Sequence, residues 1–135
     1  RRFKFMARPK RNKIKKGTRG NDVLTGTKKN DRIKGLAGDD IIESGAGKDR
    51  VWGGKGKDRF ITEGFAKGHM KIMDMEAGEV IEFCGCPSTK LKQRGKNVWI
   101  TLGSDIKAVV KNADMNLFDV DFGAATITML GDSPS

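Results

Sequence analysis

The chain has 135 residues, a formal net charge of +10, 36% apolar residues, two cysteines and one histidine. That length bounds it to one domain with at most an appendage, and no apolar run approaches the roughly 18 residues of a membrane-spanning helix. Two cysteines do not make a disulfide framework, and the apolar content is low for a conventional core but sufficient for one built in thin layers.

The charge is uneven. Residues 1–16 hold nine Lys or Arg and no acid, residues 17–61 are at +3, and residues 62–135 are at −2. The leading segment, RRFKFMARPKRNKIKK, has no helical or strand period and is interrupted by Pro9. It is expected to be an extended basic arm, with Met6 a second candidate start. Blocks of like charge dock on anionic surfaces, or serve as solvated tails and linkers. Candidate contacts are Arg1, Arg2, Lys4, Arg8, Lys10, Arg11, Lys13, Lys15 and Lys16. Candidate partners are an anionic protein, a polysaccharide or a particle surface. Nucleic acid is less favoured, because no base-reading motif and no Tyr is present.

From Gly17 to Ile61 the sequence divides without gaps into five units of nine: GTRGNDVLT, GTKKNDRIK, GLAGDDIIE, SGAGKDRVW and GGKGKDRFI. The sixth position is always Asp: Asp22, Asp31, Asp40, Asp49 and Asp58. The eighth is always apolar: Leu24, Ile33, Ile42, Val51 and Phe60. Glycines at the first and fourth positions permit tight reversal. The last three residues predict a short strand whose eighth position points inward and whose seventh and ninth point out. Such a unit cannot bury its apolar residue alone, so stability requires stacking. Units two and four then share an outer face carrying Arg32, Lys34, Arg50 and Trp52, which is cationic and adds Arg32, Arg50 and Trp52 to the candidate anion contacts. Units one, three and five share a more apolar face with Val23, Ile41 and Ile61.

The repeat resembles the nonapeptide GGxGxDxUx of the RTX, or hemolysin-type, calcium-binding parallel β-rolls. The resemblance implies Ca2+ between turns two units apart. Asp22, Asp40 and Asp58 would line one edge and Asp31 and Asp49 the other, with Asn21, Asp39 and the carbonyls of Gly20, Gly38 and Gly56 as further ligands. It also implies folding coupled to calcium, export by type I secretion, and an extracellular or cell-surface location. Three lysines depart from the pattern. Lys29 replaces a turn glycine, and Lys48 and Lys57 stand at the fifth position where Asn21, Asn30 and Asp39 stand elsewhere. Ammonium groups there weaken a cation site, so the edge of Asp31 and Asp49 is expected to be the poorer one.

After Ile61 the register fades through TEGFAKGH. Met70–Phe83 reads as strand, turn, strand, and resembles the stretch that closes many RTX rolls. Asp74 and Glu79 sit where that stretch places acids that help bind a terminal calcium. CGCPSTKLKQRGKN reads as a turn-rich connection. Cys84 and Cys86 are expected to be turn thiols, with a metal site or an intermolecular disulfide as alternatives. Asn97–Leu102 and Ile106–Lys111 predict a hairpin around Gly103, and Ala124–Leu130 a last strand. This order resembles the C-terminal cap of the same family.

There is no HExxH helix, no GxSxG elbow and no phosphate-binding glycine loop, so no enzyme is expected. The fold expected is all-β: a basic arm over 1–16, a parallel β-roll over 17–69, a small antiparallel β cap over 70–130 and a disordered tail over 131–135. The function expected is a calcium-binding roll acting in adhesion to an anionic partner. The alternatives are a cement or decoration protein of a large assembly and the detached C-terminal module of a secreted enzyme.

Overall fold

A computed structural model describes residues 14–62 and 68–130. The arm residues 1–13 and the tail 131–135 lie outside it. Each repeat contributes one strand: β2 (Val23–Thr25), β3 (Arg32–Lys34), β4 (Ile41–Glu43), β5 (Gly47–Trp52) and β6 (Arg59–Ile61). Successive strands alternate between two sheets, so each pairs in parallel with the strand two units on. Arg32, Ile33 and Lys34 face Arg50, Val51 and Trp52, and Ile41, Ile42 and Glu43 face Arg59, Phe60 and Ile61. The eighth-position side chains fill the space between the sheets, with Leu24 6% exposed and Ile33, Ile42, Val51 and Phe60 fully buried.

The coil is longer at both ends than the repeats indicate. At its start, Ile14–Lys16 forms β1, paired in parallel with β3, so the roll takes in the last three residues of the expected arm. At its far end, β7 (Gly68–Ile72) and β8 (Val80–Glu82) pair with β5 and β6. Arg50 faces Lys71 and Arg59 faces Val80, so the nine-residue step resumes after an insertion of three residues. Two further units follow, with Ile72 and Ile81 at the buried eighth position and Met70 and Glu79 at the sixth.

The rest of the chain covers this end. β9 (Thr89–Arg94), β10 (Asn97–Leu102) and β11 (Asp105–Val110) form an antiparallel meander, with Gly103 at φ +63° in the hairpin turn. β11 then joins β7 in parallel. β12 (Phe118–Asp121) and β13 (Thr126–Met129) form a hairpin added antiparallel to β8. The result is a seven-stranded sheet, ordered β1-β3-β5-β7-β11-β10-β9, and a six-stranded sheet, ordered β12-β13-β8-β6-β4-β2. Val98, Ile100, Val110 and Ile127 extend the core without a break.

Two local expectations are corrected. Thr89–Arg94 is a strand, not part of a connection, because Leu91 alternates with Lys90 and Lys92 and pairs with Ile100. Cys84 and Cys86 are joined in a disulfide within the chain, with Cα atoms 5.2 Å apart, and are not free thiols. Gly85 between them has φ +73°, which lets the chain turn tightly enough for the sulfurs to meet.

Candidate calcium-binding turns

The sixth-position acids form ladders along the two edges of the roll. The N–H of Asp22 donates to Oδ1 of Asp40 at 2.8 Å, and the N–H of Asp40 to Oδ1 of Asp58 at 3.0 Å. Asp58 in turn donates its N–H to Oε2 of Glu79 at 3.4 Å. On the other edge the N–H of Asp31 donates to Oδ1 of Asp49 at 2.7 Å. The next sixth-position residue there is Met70, so this ladder has no further acid.

One oxygen of Asp40, Asp49 and Asp58 is thus used by the turn one coil before. The fate of Oδ2 divides the units. In units one and two the second residue is Thr. Thr18 donates its N–H to Oδ2 of Asp22 at 2.6 Å, and Thr27 donates likewise to Asp31 at 2.7 Å, with both hydroxyls adding bonds. In units three to five the second residue is Leu36, Gly45 or Gly54, each with positive φ. There Oδ2 of Asp40, Asp49 and Asp58 is buried with no hydrogen-bond partner. A buried carboxylate oxygen left bare is costly unless a cation or proton meets it. Burial pushes the Asp40 and Asp49 carboxyls up to about 6, against the N–H bonds that lower them. Asp58 is raised by burial too, and Glu79, 0% exposed, is pushed up to about 8.

The bare oxygens sit in cradles lined by main-chain carbonyls. A Cβ on Gly35 would lie 2.5 Å from Oδ2 of Asp40 and 2.6 Å from the Gly53 carbonyl oxygen, so only glycine leaves that space open. Gly38 and Gly56 have positive φ, and a Cβ on either would lie 2.3 Å from the carbonyl oxygen of Gly20 or Gly38. Gly20 is in open surroundings by comparison. No three His, Cys, Asp or Glu side chains converge among the described residues. The donor set is one carboxylate oxygen plus carbonyls per turn. These are hard oxygens of the kind calcium takes in high number, and the residues fit such an ion.

Asn21 and Asp39 belong to a second, outer ladder. Asn21 Oδ1 accepts from the N–H of Asp39, and Asp39 Oδ1 from the N–H of Lys57, each within 2.8 Å. Lys57 sends its ammonium to the Ala77 carbonyl at 2.8 Å. Asp74 does not join Glu79: it accepts from the N–H groups of Gly53 and Gly54 at 2.8 and 3.0 Å. The nonapeptide pattern gives Asp22 and Asp31 no caps; the signal for them is Thr at the second position of both units, Thr18 and Thr27.

The candidate anion contacts are spread differently. Arg32 and Arg50 are neighbours on the outer face of the seven-stranded sheet, and the Lys34 ammonium lies 5.4 Å from the centre of the Trp52 ring. Lys16 is in register with Lys34 at the sheet edge. Lys15 is different: it stands at an inward position opposite Ile33, and its ammonium donates to the Thr25 carbonyl at 2.7 Å. It closes the open end of the roll. Arg1, Arg2, Lys4, Arg8, Lys10, Arg11 and Lys13 lie outside the described residues.

Comparison with known proteins matches the family model of the RTX calcium-binding nonapeptide repeat, in four copies, over residues 16–51 and 35–65. No curated protein matches the chain. The turns, their aspartate ladders and this match agree: residues 16–65 carry RTX calcium-binding nonapeptide repeats wound into a β-roll.

Proposed function

We propose that this chain is a non-catalytic, calcium-folded adhesion module that works outside the cell and holds an anionic partner. The observation that carries the calcium part is the set of bare, buried Oδ2 atoms on Asp40, Asp49 and Asp58. In this reading those atoms and the carbonyls of Gly20, Gly38, Gly53 and Gly56 hold the ions, whose charge offsets the buried carboxylates. Asp22 and Asp31, already closed by threonine, serve as the first rungs.

An extracellular setting is supported by the Cys84–Cys86 bridge, since disulfides persist in oxidising compartments. No helix among the described residues is long and apolar enough to cross a membrane. Anionic attachment is supported by the position of β1: the basic segment before Ile14 enters the fold at the edge strand of the sheet that carries Arg32 and Arg50.

The test is a calcium titration of the chelated full chain followed by far-ultraviolet circular dichroism. Strand signal is expected to develop with calcium and to vanish on chelation. Identical spectra in both conditions would overturn the calcium part. Retention on an anion-bearing matrix at moderate salt, lost at high salt, tests the attachment.

A further inference from the structure

The two sheets are oppositely charged. In the seven-stranded sheet the only acids within the strands are Asp49, whose side chain is buried, and Asp105, at the first position of β11. In the six-stranded sheet the only Lys or Arg within the strands is Arg59, which is bonded to Glu82. Glu43, Asp119 and Asp121 add further negative charge there.

Strand register arranges the cations in rows. Arg32, Arg50 and Lys71 are successive partners across β3, β5 and β7. The same row continues through Val109 and Trp99 to Lys92, because β11, β10 and β9 complete the sheet. A second row runs from Lys16 to Lys34 and Trp52. At the far end the Arg94 guanidinium lies 5.1 Å from the centre of the Trp99 ring, matching Lys34 over Trp52. Strands sit roughly 4.8 Å apart, so the seven span roughly 29 Å with a cation on most of them. The roll supplies half of this face and the cap the other half.

We propose that this face binds a linear acidic polysaccharide, carboxylated or sulfated, lying across the strands. The proposal rests on the anionic partner proposed above; it names the partner's class and puts the contact on the sheet as well as the arm. Cations on five of the seven strands, with Val109 and Trp99 filling the row on β11 and β10, suit a stiff polymer whose charges recur at intervals along its length, such as one carboxylate per disaccharide. The indoles offer apolar surface to the C–H faces of sugar rings, and each already has a cation resting on it. Single-stranded nucleic acid is bound on aromatic platforms that take successive bases, and here the two indoles are kept apart by two intervening strands, β7 and β11.

The experiment uses the full calcium-loaded chain and hyaluronate fragments of defined length, with dextran and an oligothymidylate as comparison ligands. Binding is followed by calorimetry, and the fold of each variant by circular dichroism in calcium. Hyaluronate is expected to bind and dextran not. Arg50→Ser with Lys71→Ser, and separately Lys92→Ser with Arg94→Ser, are each expected to weaken hyaluronate binding about tenfold. Lys28→Ser with Lys55→Ser removes the same charge from exposed turns and is expected to weaken it less than about threefold. Equal losses from face and turn doubles would overturn the proposal. Loss only on deletion of residues 1–13 would overturn it while sparing the anionic-partner reading. Tighter binding of oligothymidylate would overturn the polysaccharide class. Binding of neither polyanion would overturn both readings.

Discussion

The N–H of Asp40 donates to Oδ1 of Asp58, eighteen residues along the chain and one coil further up the roll, at 3.0 Å. The same carboxylate keeps its Oδ2 buried and bare. One side chain therefore ties two coils together with one oxygen and leaves the other open. In the proposed calcium reading, fold and ion binding meet in this residue.

This duality separates under Asp58→Asn. The amide oxygen still accepts from Asp40, but the anion is gone. Stability in calcium is expected to fall by about 1–3 kcal/mol. In chelator the variant is expected to match or exceed the parent, because no charge is left buried. Urea unfolding in the two conditions checks this, and a variant as stable as the parent in calcium would mean that Asp58 acts through the ladder alone.

The pH dependence of the metal-free chain follows from the raised carboxyls. Their ordinary value is 3.8 for Asp, while Asp40 and Asp49 are held at about 6 and Glu79 at about 8. Between those limits the folded chain binds more protons than the unfolded one, so stability falls as pH rises from 4 to 8. In chelator the chain is expected to be more stable at pH 5 than at pH 8, by urea midpoint. Calcium competes with the same protons, so its affinity is expected to rise over the same interval.

The two candidate glycines Gly38 and Gly20 are predicted to differ sharply. Gly38 has φ +92° and no room before the Gly20 carbonyl, whereas a Cβ on Gly20 meets nothing nearer than 3.7 Å. Gly38→Ala is expected to cost about 2–4 kcal/mol in saturating calcium, and Gly20→Ala within about 1 kcal/mol. Thermal melts of the two variants decide it.

Lys15 predicts an effect on assembly. Its side chain lies at an inward position on the open end of the roll and donates to Thr25. Terminal coils need a polar outer surface to stay soluble. Lys15→Ile is expected to give concentration-dependent dimers by light scattering, and a monomer at all concentrations would refute the capping role.

The legible part of the fold was the part built by short-range rules. Asp22 to Asp58 and Leu24 to Phe60 recur at a fixed step, and alternation alone assigns Arg32 and Arg50 to one face, as their pairing across β3 and β5 shows. Beyond Ile61 the step was hidden by an insertion of three residues, so Ile72 and Ile81 read as cap and not as coil. β9 is not legible in the sequence because its only inward apolar residue among lysines is Leu91, and its partner β10 supplies the rest of the pattern.

Sequence by itself determined the repeat, the ion and the alternation of the two outer faces, because turn glycines, a carboxylate and a strand period act within nine residues. Only the tertiary structure decided which carboxylates remain bare. That depends on whether the second residue of each turn caps the acid, as Thr18 and Thr27 do, or turns left-handed and leaves it open. It also decided that Trp99, Lys92 and Arg94 lie in the same sheet as Arg50, because the parallel pairing of β11 on β7 joins residues far apart in the chain.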